Sequence, residues 1–301
     1  MSNFLHKISK AIYPKIFYIW NIFNRLLPDR IYIKCQYFFK TGQKLNLKNP
    51  LLFNEKIQWL KLYNRQHDYS IMADKYEVRK YIAQTIGEEY LIPFYGVWNK
   101  FDEISFNALP DQFVLKCSHD SGGTVICKNK QSFDIEKTRK IFKERLARNY
   151  YWSNREWVYK KIKPRIIAEE LMIDESGVEL KDYKFFCFNG EPKIIEVDIG
   201  QFTNRYFRNF YSPKWEFQKL INDKPNAPQN SVPAPPTLDL MINLARKLSA
   251  DIIHVRVDFY SIYEKVYFGE LTFFDSGGYT IFEPPEWNRT FGDWIKLPDV
   301  P

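Results

Sequence analysis

The 301-residue sequence contains few cysteines and histidines, with four of each. The cysteines form no Cys-x-x-Cys pair and have no metal-ligand spacing, so we expect reduced, mostly buried thiols. The scarcity of histidine argues against a zinc enzyme. No apolar run reaches the ~18 residues that a membrane-spanning helix needs, and the N-terminus lacks the features of a secretory signal. We therefore expect a cytoplasmic protein.

The net charge is +8 and 18% of the residues are aromatic. An excess of positive charge suits an anionic partner such as a nucleotide, an acidic sugar polymer or a membrane surface. The basic residues are dispersed and no known nucleic-acid-binding motif occurs, so we expect no nucleic acid as a partner.

Residues 3–27 combine lysine and arginine with large apolar residues at near-helical spacing, interrupted by Pro14. Two interpretations are open. In the first, the segment forms helices that pack on the rest of the protein, which is the ordinary role of an amphipathic helix. In the second, it lies on the inner face of an anionic membrane and makes a peripheral contact there.

The rest of the chain shows helical and strand-like patterns without an internal repeat. Asn54 is predicted to be the N-cap of the first helix, and Gly87 to end the second. The predicted helices are 50–64, 73–86, 134–148 and 237–249. The predicted strands are 91–98, 112–118, 124–129, 166–172, 183–190, 193–200, 254–262 and 265–274, with a proline-rich loop at 223–236. This order predicts an α+β fold and differs from the repeating βαβ pattern of a Rossmann fold.

A lysine and two adjacent glycines mark the first candidate site. Lys116 lies at the end of a predicted strand, and Ser121, Gly122 and Gly123 follow in a short loop before the next strand. Glycines let backbone N–H groups approach an anion closely, and a lysine adds a mobile positive charge. The loop differs from a Walker A motif, which opens a helix. A simple hairpin turn is the alternative.

The second candidate site is acidic. Glu169, Glu170 and Leu171 end an apolar strand, and Asp182 and Lys184 begin the next one. Backbone groups at a strand edge can bind a nucleobase, and a carboxylate can accept hydrogen bonds from ribose hydroxyls. A solvated acidic edge is the alternative.

The third candidate site has two carboxylates on a predicted hairpin. Arg256 and Asp258 lie on one strand, and Glu270 and Thr272 lie on the other, so period-two alternation places all four on matching faces. Facing carboxylates repel each other unless a cation lies between them. Magnesium prefers carboxylate oxygens together with substrate phosphates, and an arginine beside them can stabilise phosphate charge. We therefore predict a magnesium site here. A surface ladder balanced by arginine is the alternative.

These three motifs follow one another in the order found in ATP-grasp enzymes. More specifically, the chain resembles the TupA-like ATP-grasp family of bacterial surface-polysaccharide clusters over about residues 30–295. The resemblance also rests on Asn49-Pro-x-x-Phe-Asn-Glu-Lys-x-x-Trp59, Ala73-Asp-Lys-Tyr76, Val114-Leu-Lys-x-x-x-x-Ser-Gly-Gly123 and Asp182-Tyr-Lys-Phe-x-x-Phe-Asn-Gly190.

The resemblance implies an ATP-grasp fold, in which two α+β lobes clamp ATP, preceded by an N-terminal helical extension. The implied regions are a basic helical extension at 1–45, an N-terminal α/β region at 46–115, a small lobe at 116–180 and a large lobe with the metal site at 181–301.

The resemblance also implies roles for the nucleotide-binding residues. Lys75 and Lys116 would bind the ATP phosphates beside the loop of Ser121, Gly122 and Gly123. The segment from Glu169 through Glu170 to Leu171 would contact the adenine, and Asp182 would lie near the ribose.

Metal-binding and catalytic roles follow from the same resemblance. Asp258 and Glu270 would hold Mg²⁺, and Arg256 and Lys184 would act in catalysis. Thr272 stands where the family usually has asparagine, and would supply an oxygen directly or through water.

The implied reaction activates a carboxylate as an acyl phosphate, which an amine then attacks. We expect a carboxylate-bearing sugar or glycan precursor of uronic acid type and an amine or amino acid. Positioning and charge neutralisation suffice for this chemistry, so no covalent nucleophile is needed. One alternative is a glycosyltransferase that uses a nucleotide sugar, although the chain has no Asp-x-Asp motif. Another is an inactive nucleotide-binding or assembly protein, which the departure at Thr272 favours.

Overall fold

The computed structural model describes residues 24–177, 180–201, 205–229 and 231–298. The chain divides into two compact units, residues 1–46 and 47–301. Most of the predicted amphipathic segment 3–27 lies outside the described residues. No helix within the described ranges is long and apolar enough to cross a membrane.

The first unit contains helix α1 (Asp29–Thr41), preceded by a 3-10 turn at Asn24–Leu26. Pro28 stands before the helix, where its missing N–H costs nothing. Gly42 ends it, because its left-handed φ of 71° lets its N–H donate to the Phe38 carbonyl at 2.8 Å.

The second unit contains two antiparallel sheets and several helices, which confirms the predicted α+β class. Its helices are α2 (Phe53–Tyr63), α3 (Asp68–Ala73), α4 (Val78–Thr85), α5 (Ile135–Leu146), α6 (Tyr151–Asn154), α7 (Leu238–Ser249) and α8 (Glu286–Trp294). Its strands are β1 (Phe94–Trp98), β2 (Phe113–Cys117), β3 (Thr124–Cys127), β4 (Ile166–Glu169), β5 (Asp182–Phe188), β6 (Glu191–Ile199), β7 (Phe207–Tyr211), β8 (Phe217–Gln218), β9 (His254–Ile262) and β10 (Lys265–Thr272).

The start of α2 differs from the prediction. Asn54 lies inside the helix and is 3% exposed, and its side-chain amide donates to the Thr280 carbonyl at 2.8 Å. The capping side chain is Glu55, which accepts from the N–H groups of Leu51 and Leu52. The prediction of Asn54 as N-cap was therefore wrong, because a distant carbonyl binds its side chain.

The predicted helix 73–86 is interrupted. Helix α3 ends at Ala73 and α4 begins at Val78. Between them, the Asp74 carboxylate accepts from the Tyr76 N–H at 2.9 Å, and the Lys75 N–H donates to the Ser118 carbonyl at 3.1 Å. Short acidic side chains compete with helical hydrogen bonding in this way. The break ties Lys75 to the segment that follows β2.

The smaller sheet has the strand order β1-β4-β2-β3. Phe113 and Leu115 of β2 pack with Phe142 of α5 in a buried core. Side chains alternate between the two faces of a strand, so Lys116 lies on the face opposite Phe113 and Leu115. By the same alternation along β4, Glu169 lies on the same face as Lys116. The boundary predicted after residue 115 falls inside β2.

The larger sheet has the strand order β10-β9-β5-β6-β7-β8. Lys184 of β5 pairs with Asp258 of β9 on one side and with Glu196 of β6 on the other, so charged residues form a row across one face. Helix α7 packs on β5, β6 and β9, and the alternating residues Phe185 and Val257 are fully buried. The sheet thus separates an apolar core from a charged face.

Strands β7 and β8 and helix α8 have no counterpart among the predicted elements. In β7, polar contacts keep Arg208 largely and Asn209 fully out of solvent. These polar residues interrupt the apolar alternation by which a strand is recognised in a sequence. In α8, Gly292 approaches the Leu51 carbonyl so closely that an added Cβ would lie 2.1 Å from that oxygen. Strand β7 and helix α8 therefore depend on contacts between distant parts of the chain.

His254 lies buried at the start of β9, edge-on to the ring of Phe53 at a centroid distance of 5.2 Å. Its Nδ1 lies 2.9 Å from the Cys187 carbonyl oxygen. A carbonyl can only accept, so Nδ1 carries the proton. Burial lowers the pKa of His254 to about 4. The folded protein therefore holds a neutral imidazole.

We predict an acid-sensitive contribution of His254 to stability. An unfolded histidine has a pKa of about 6.5, so the unfolded state binds more protons as the pH falls below about 6.5. The contribution is fully present above that pH, and the free energy of unfolding falls by about 3 kcal/mol as the pH approaches about 4. Urea denaturation at several pH values measures this loss.

The variant His254→Asn should remove this part of the pH dependence. His67→Asn is the control, since the His67 side chain is 92% exposed. An unchanged pH slope in His254→Asn would contradict the buried neutral imidazole.

Candidate active site

Lys116 and Glu169 form an ion pair on the face of the smaller sheet opposite its core. The Lys116 Nζ lies 2.9 Å from Glu169 Oε2, and the Arg79 Nη1 lies 3.2 Å from Glu169 Oε1. Two of the predicted nucleotide-binding residues are therefore in direct contact. Arg79 was not predicted as a site residue. It follows Lys75 by four positions in the segment predicted as helix, and this spacing could have indicated that the two lie on the same side.

Lys75 connects the glycine loop to the acidic hairpin. Its Nζ donates to the Asp120 carbonyl at 3.2 Å and lies 3.1 Å from Glu270 Oε2. Burial alone would raise the pKa of the Glu270 carboxyl, but the charges of Lys75 and Arg256 outweigh it and hold this pKa well below its usual range. Glu270 is therefore ionised at neutral pH.

The predicted glycine loop joins β2 to β3 and is tightly shaped. Gly122 has a left-handed φ of 76°, and a Cβ on Gly123 would lie 3.2 Å from the Cys117 Cβ. The Ser121 N–H donates to the Asp120 carboxylate at 2.7 Å. Arg145 of α5 binds the other oxygen of that carboxylate at 2.8 Å. The loop conformation thus depends on an ion pair that no local pattern indicates.

The four residues of the acidic hairpin lie together as predicted. Arg256 donates two hydrogen bonds of 2.8 and 2.6 Å to Asp258, and its Nη2 also donates to Glu270 Oε1 at 3.1 Å. Thr272 Oγ1 donates to the same Glu270 oxygen at 3.0 Å. A bulge in β10 places Gly269 close against Asp258, since an added Cβ would lie 3.1 Å from the Asp258 carbonyl oxygen.

The guanidinium of Arg256 is fixed from a further side by Asp275, with which it forms an ion pair. Asp275 begins a turn whose backbone is held by α2: Gln58 donates to the Gly278 carbonyl at 2.9 Å, and Lys61 donates to the Gly277 carbonyl at 2.7 Å. Nothing in the sequence patterns pointed to Asp275, because it lies after the end of β10.

The donor set at this hairpin is two carboxylates and one hydroxyl. Among the described residues, no group of three or more His, Cys, Asp or Glu side chains is placed to hold a metal ion. Asp258, Glu270 and Thr272 nonetheless fit Mg²⁺, which commonly uses one or two protein carboxylates and completes its octahedron with water and phosphate oxygens. In the structure, Arg256 is the cation that bridges the two carboxylates.

The predicted adenine segment follows β4. The Glu170 N–H donates to the Pro93 carbonyl at 3.0 Å. In the described part of the chain the Leu171 N–H makes no such backbone bond, so it is the better placed of the two for a base. The Glu170 and Leu171 side chains line an open groove with Tyr95.

Lys184 lies in a buried network of charges. Its Nζ contacts Asp182 at 3.7 Å and Glu196 at 3.1 Å and forms an ion pair with Asp198. Arg208 binds Asp198 from the neighbouring strand at 2.7 Å. Burial would lower the pKa of Lys184, but the surrounding carboxylates raise it above its usual range, so the amine is charged. A permanently charged Lys184 is suited to electrostatic work and unsuited to proton transfer.

Asp182 contrasts with its neighbours in this network. Its Oδ1 is buried and has no hydrogen-bond partner in the parts of the chain that the structure describes. Burial outweighs the nearby charge of Lys184 and raises the pKa of Asp182 to about 6. An unpaired buried carboxylate oxygen is costly, so a ligand hydroxyl is a fitting partner for it.

The contact between Lys75 and Glu270 generates a prediction. In Lys75→Met one of the two opposing cations is lost while burial remains, so the pKa of Glu270 should rise. Carbon-13 NMR titration of the glutamate carboxyls measures it. Lys80→Met is the matched control, because Lys80 is exposed on the same segment. A Glu270 pKa that is equal in the wild type and Lys75→Met would rule out this electrostatic role.

Several solved ligases resemble the chain at low similarity. The D-alanine–D-alanine ligase of Helicobacter pylori has a TM-score of 0.43 and 15% identity, over 81% of this chain and 69% of that one. The corresponding ligase of Bacillus anthracis, complexed with ATP, has a TM-score of 0.39 and 15% identity, over 67% and 55%. The ATP-grasp ligase PsnB, complexed with a phosphomimetic variant of its minimal precursor, Mg and ADP, has a TM-score of 0.41 and 11% identity, over 80% and 63%.

The chain thus spans between 55% and 69% of the length of these three structures. No curated protein matches it. The family described as TupA-like ATPgrasp matches residues 55–296, which is most of the chain and includes every predicted site residue. Together with the α+β architecture, this match confirms the predicted fold: the protein belongs to the TupA-like ATP-grasp family.

Proposed function

We propose that the protein is an ATP-dependent ligase that joins a carboxylate to an amine. The observation that carries this proposal is the position of Lys75, whose Nζ contacts both the glycine loop at Asp120 and the carboxylate of Glu270. A phosphate chain that runs from the loop to a metal on the acidic hairpin would pass this ammonium group. Lys116 lines the same crevice.

The remaining nucleotide contacts follow from the same placement. Glu169, Glu170 and Leu171 would border the adenine, with the Leu171 N–H available to a ring nitrogen. Asp182 would accept a hydrogen bond from a ribose hydroxyl, and the buried, unpaired Oδ1 supports this assignment. Gly122 and Gly123 would offer backbone N–H groups to the phosphates. The Ser121 N–H already donates to the Asp120 carboxylate, so Ser121 would shape the loop beside them.

Asp258, Glu270 and Thr272 would hold Mg²⁺, which supplies positive charge to the phosphate oxygens. Arg256 keeps the two carboxylates in place through its contacts with Asp258 and Glu270. Arg256 and Lys184 are the cations that would stabilise negative charge on the transferring phosphoryl group.

The proposed reaction has two displacement steps. A substrate carboxylate oxygen attacks the γ-phosphorus of ATP, and ADP leaves with the electrons of the broken P–O bond. The amine nitrogen then attacks the acyl carbon, phosphate leaves and the nitrogen loses a proton, so an amide forms. No thiol is needed, which agrees with the state of Cys117: its burial raises the pKa to about 12, so the thiol stays protonated.

We infer the substrate class from the resemblance to surface-polysaccharide proteins. The carboxylate would belong to a uronic acid of a capsular or O-antigen precursor, and the amine to an amino acid or a small amine. The reaction would take place in the cytoplasm, and residues 3–27 would make a peripheral contact with the inner membrane.

The assay for this proposal combines ATP, Mg²⁺, glucuronic acid and a mixture of amines with the protein. ADP release that requires both the carboxylate and the amine supports the ligase. Release of UDP from a sugar nucleotide without ATP consumption would instead identify a glycosyltransferase and refute the proposal.

The acidic pair supplies a sharp prediction for this assay. Asp258→Asn and Glu270→Gln each remove a metal-binding charge, so each should abolish ADP release. Glu264→Gln is the control, since Glu264 is exposed at the tip of the β9–β10 hairpin and contacts none of the site. Near-normal turnover in both site variants would show that these carboxylates hold no catalytic metal.

Thr272 generates a separate prediction about magnesium. Its hydroxyl orients Glu270, and loss of such a supporting contact typically weakens metal binding about 10- to 100-fold. Thr272→Val should therefore raise the Mg²⁺ concentration that gives half-maximal ADP release by about tenfold or more. Thr272→Ser keeps the hydroxyl and should behave like the wild type. Equal Mg²⁺ requirements in the valine and serine variants would exclude this role.

A further inference from the structure

Exposed apolar side chains are concentrated in the first compact unit. Thirteen large apolar residues are exposed in the part of the chain that the structure describes, and four of them lie between residues 26 and 39. These four are Leu26 at 79%, Ile31 at 49%, Phe38 at 55% and Phe39 at 58% exposure. Scattered apolar residues on a surface are ordinary, whereas a cluster of this kind marks a contact surface.

Helix α1 carries apolar residues on two sides. Ile31 and Phe38 are seven positions apart, so they lie on one side of the helix, next to Phe39. Ile33 and Tyr37 lie on the opposite side and are buried, and Tyr32, also buried, lies at the border beside Phe39. Ile31, Phe38 and Phe39 thus remain about half exposed on a helix whose other large apolar residues are buried.

The charge around this exposed side is almost entirely positive. Within Asn24–Asn46 there is a single acidic residue, Asp29. The five basic residues are all exposed: Arg25, Arg30, Lys34, Lys40 and Lys44. The segment therefore contributes a net +4, which is half of the +8 carried by the whole chain.

We propose that α1 docks on the surface of an anionic lipid bilayer. Ile31, Phe38 and Phe39 would enter the boundary between headgroups and acyl chains, and the flanking lysines and arginines would contact the acidic headgroups. Helices that lie in the membrane plane combine Phe and other apolar residues with Lys and Arg, as this surface does. A bilayer fits both features at once, since it offers apolar depth beneath a negatively charged surface.

Ile31, Phe38 and Phe39 lie beyond segment 3–27, because α1 begins at Asp29. The inference is independent of the proposed ligase activity, since no residue of the candidate active site lies in the first unit. The docking helix would bring the protein to a membrane whatever reaction it catalyses.

The test is co-sedimentation of the full-length protein with vesicles of phosphatidylcholine alone or mixed equally with phosphatidylglycerol. We expect binding to the mixed vesicles only. We also expect binding to weaken between about 0.1 M and about 1 M salt, as the Debye length falls from about 10 Å to about 3 Å. Absence of binding to the anionic vesicles at low salt would overturn the proposal.

Two variants separate α1 from other contacts. The double variant Phe38→Ser, Phe39→Ser should bind at least about tenfold more weakly, because each phenylalanine loses its burial in lipid. Ile281→Ser is the control, as Ile281 is 74% exposed in the second unit, and it should bind like the wild type. Unchanged thermal unfolding and ADP release in the double variant show that its fold is intact.

Two results for the double variant would contradict the proposal. Undiminished vesicle binding would assign the contact to another part of the chain. Wild-type dimers in sedimentation equilibrium that disappear in the double variant, without vesicle binding by the wild type, would show that α1 docks on a second copy of the chain.

Discussion

The candidate active site depends on how negative charge is balanced on one face of the larger sheet. Asp258, Glu270 and Asp275 converge there, and the guanidinium of Arg256 contacts all three. Lys75 neutralises Glu270 from the side of the glycine loop. Removal of one member of a buried ion pair typically costs about 3–5 kcal/mol, so these groups hold one another in place. Glu270 is ionised, because Lys75 and Arg256 hold its pKa well below the usual range, whereas burial raises the pKa of Asp258. In the proposed site, Mg²⁺ would add positive charge that stabilises the ionised form of Asp258.

Distant parts of the chain contribute to the place where these carboxylates converge. The helical break at Asp74 brings Lys75 to the glycine loop, and the bulge at Gly269 sets Glu270 beside Asp258. Helix α2 fixes the turn after β10 through Lys61. Each of these features is a departure from regular secondary structure. Such departures concentrate where a site must be positioned, which agrees with their grouping around the proposed phosphate path.

The strands could be predicted because period-two alternation is a local property. Arg256, Asp258, Glu270 and Thr272 lie together as expected, but only because the bulge shifts the register, since regular pairing from the turn would set Glu270 opposite the core residue Val257. The order of motifs along the chain indicated the family. The partners that hold these site residues could not be predicted in this way. Arg79 and Asp275 reach the site through tertiary contacts, and the network around Lys184 requires β7, where the partly buried Arg208 interrupts the apolar strand pattern. The N-cap prediction for Asn54 was wrong because its side chain donates instead to a carbonyl far along the chain.

Lys75, Lys116 and the acidic pair are proposed to form one site for a magnesium-bound nucleotide. Isothermal titration calorimetry of ATP binding to the wild-type protein, with Mg²⁺ and with the metal chelated, measures whether they do. We expect one ATP per chain with Mg²⁺ present, and an affinity at least about tenfold lower when the metal is removed. Equal ATP affinity with and without Mg²⁺, or no ATP binding at all, would contradict it.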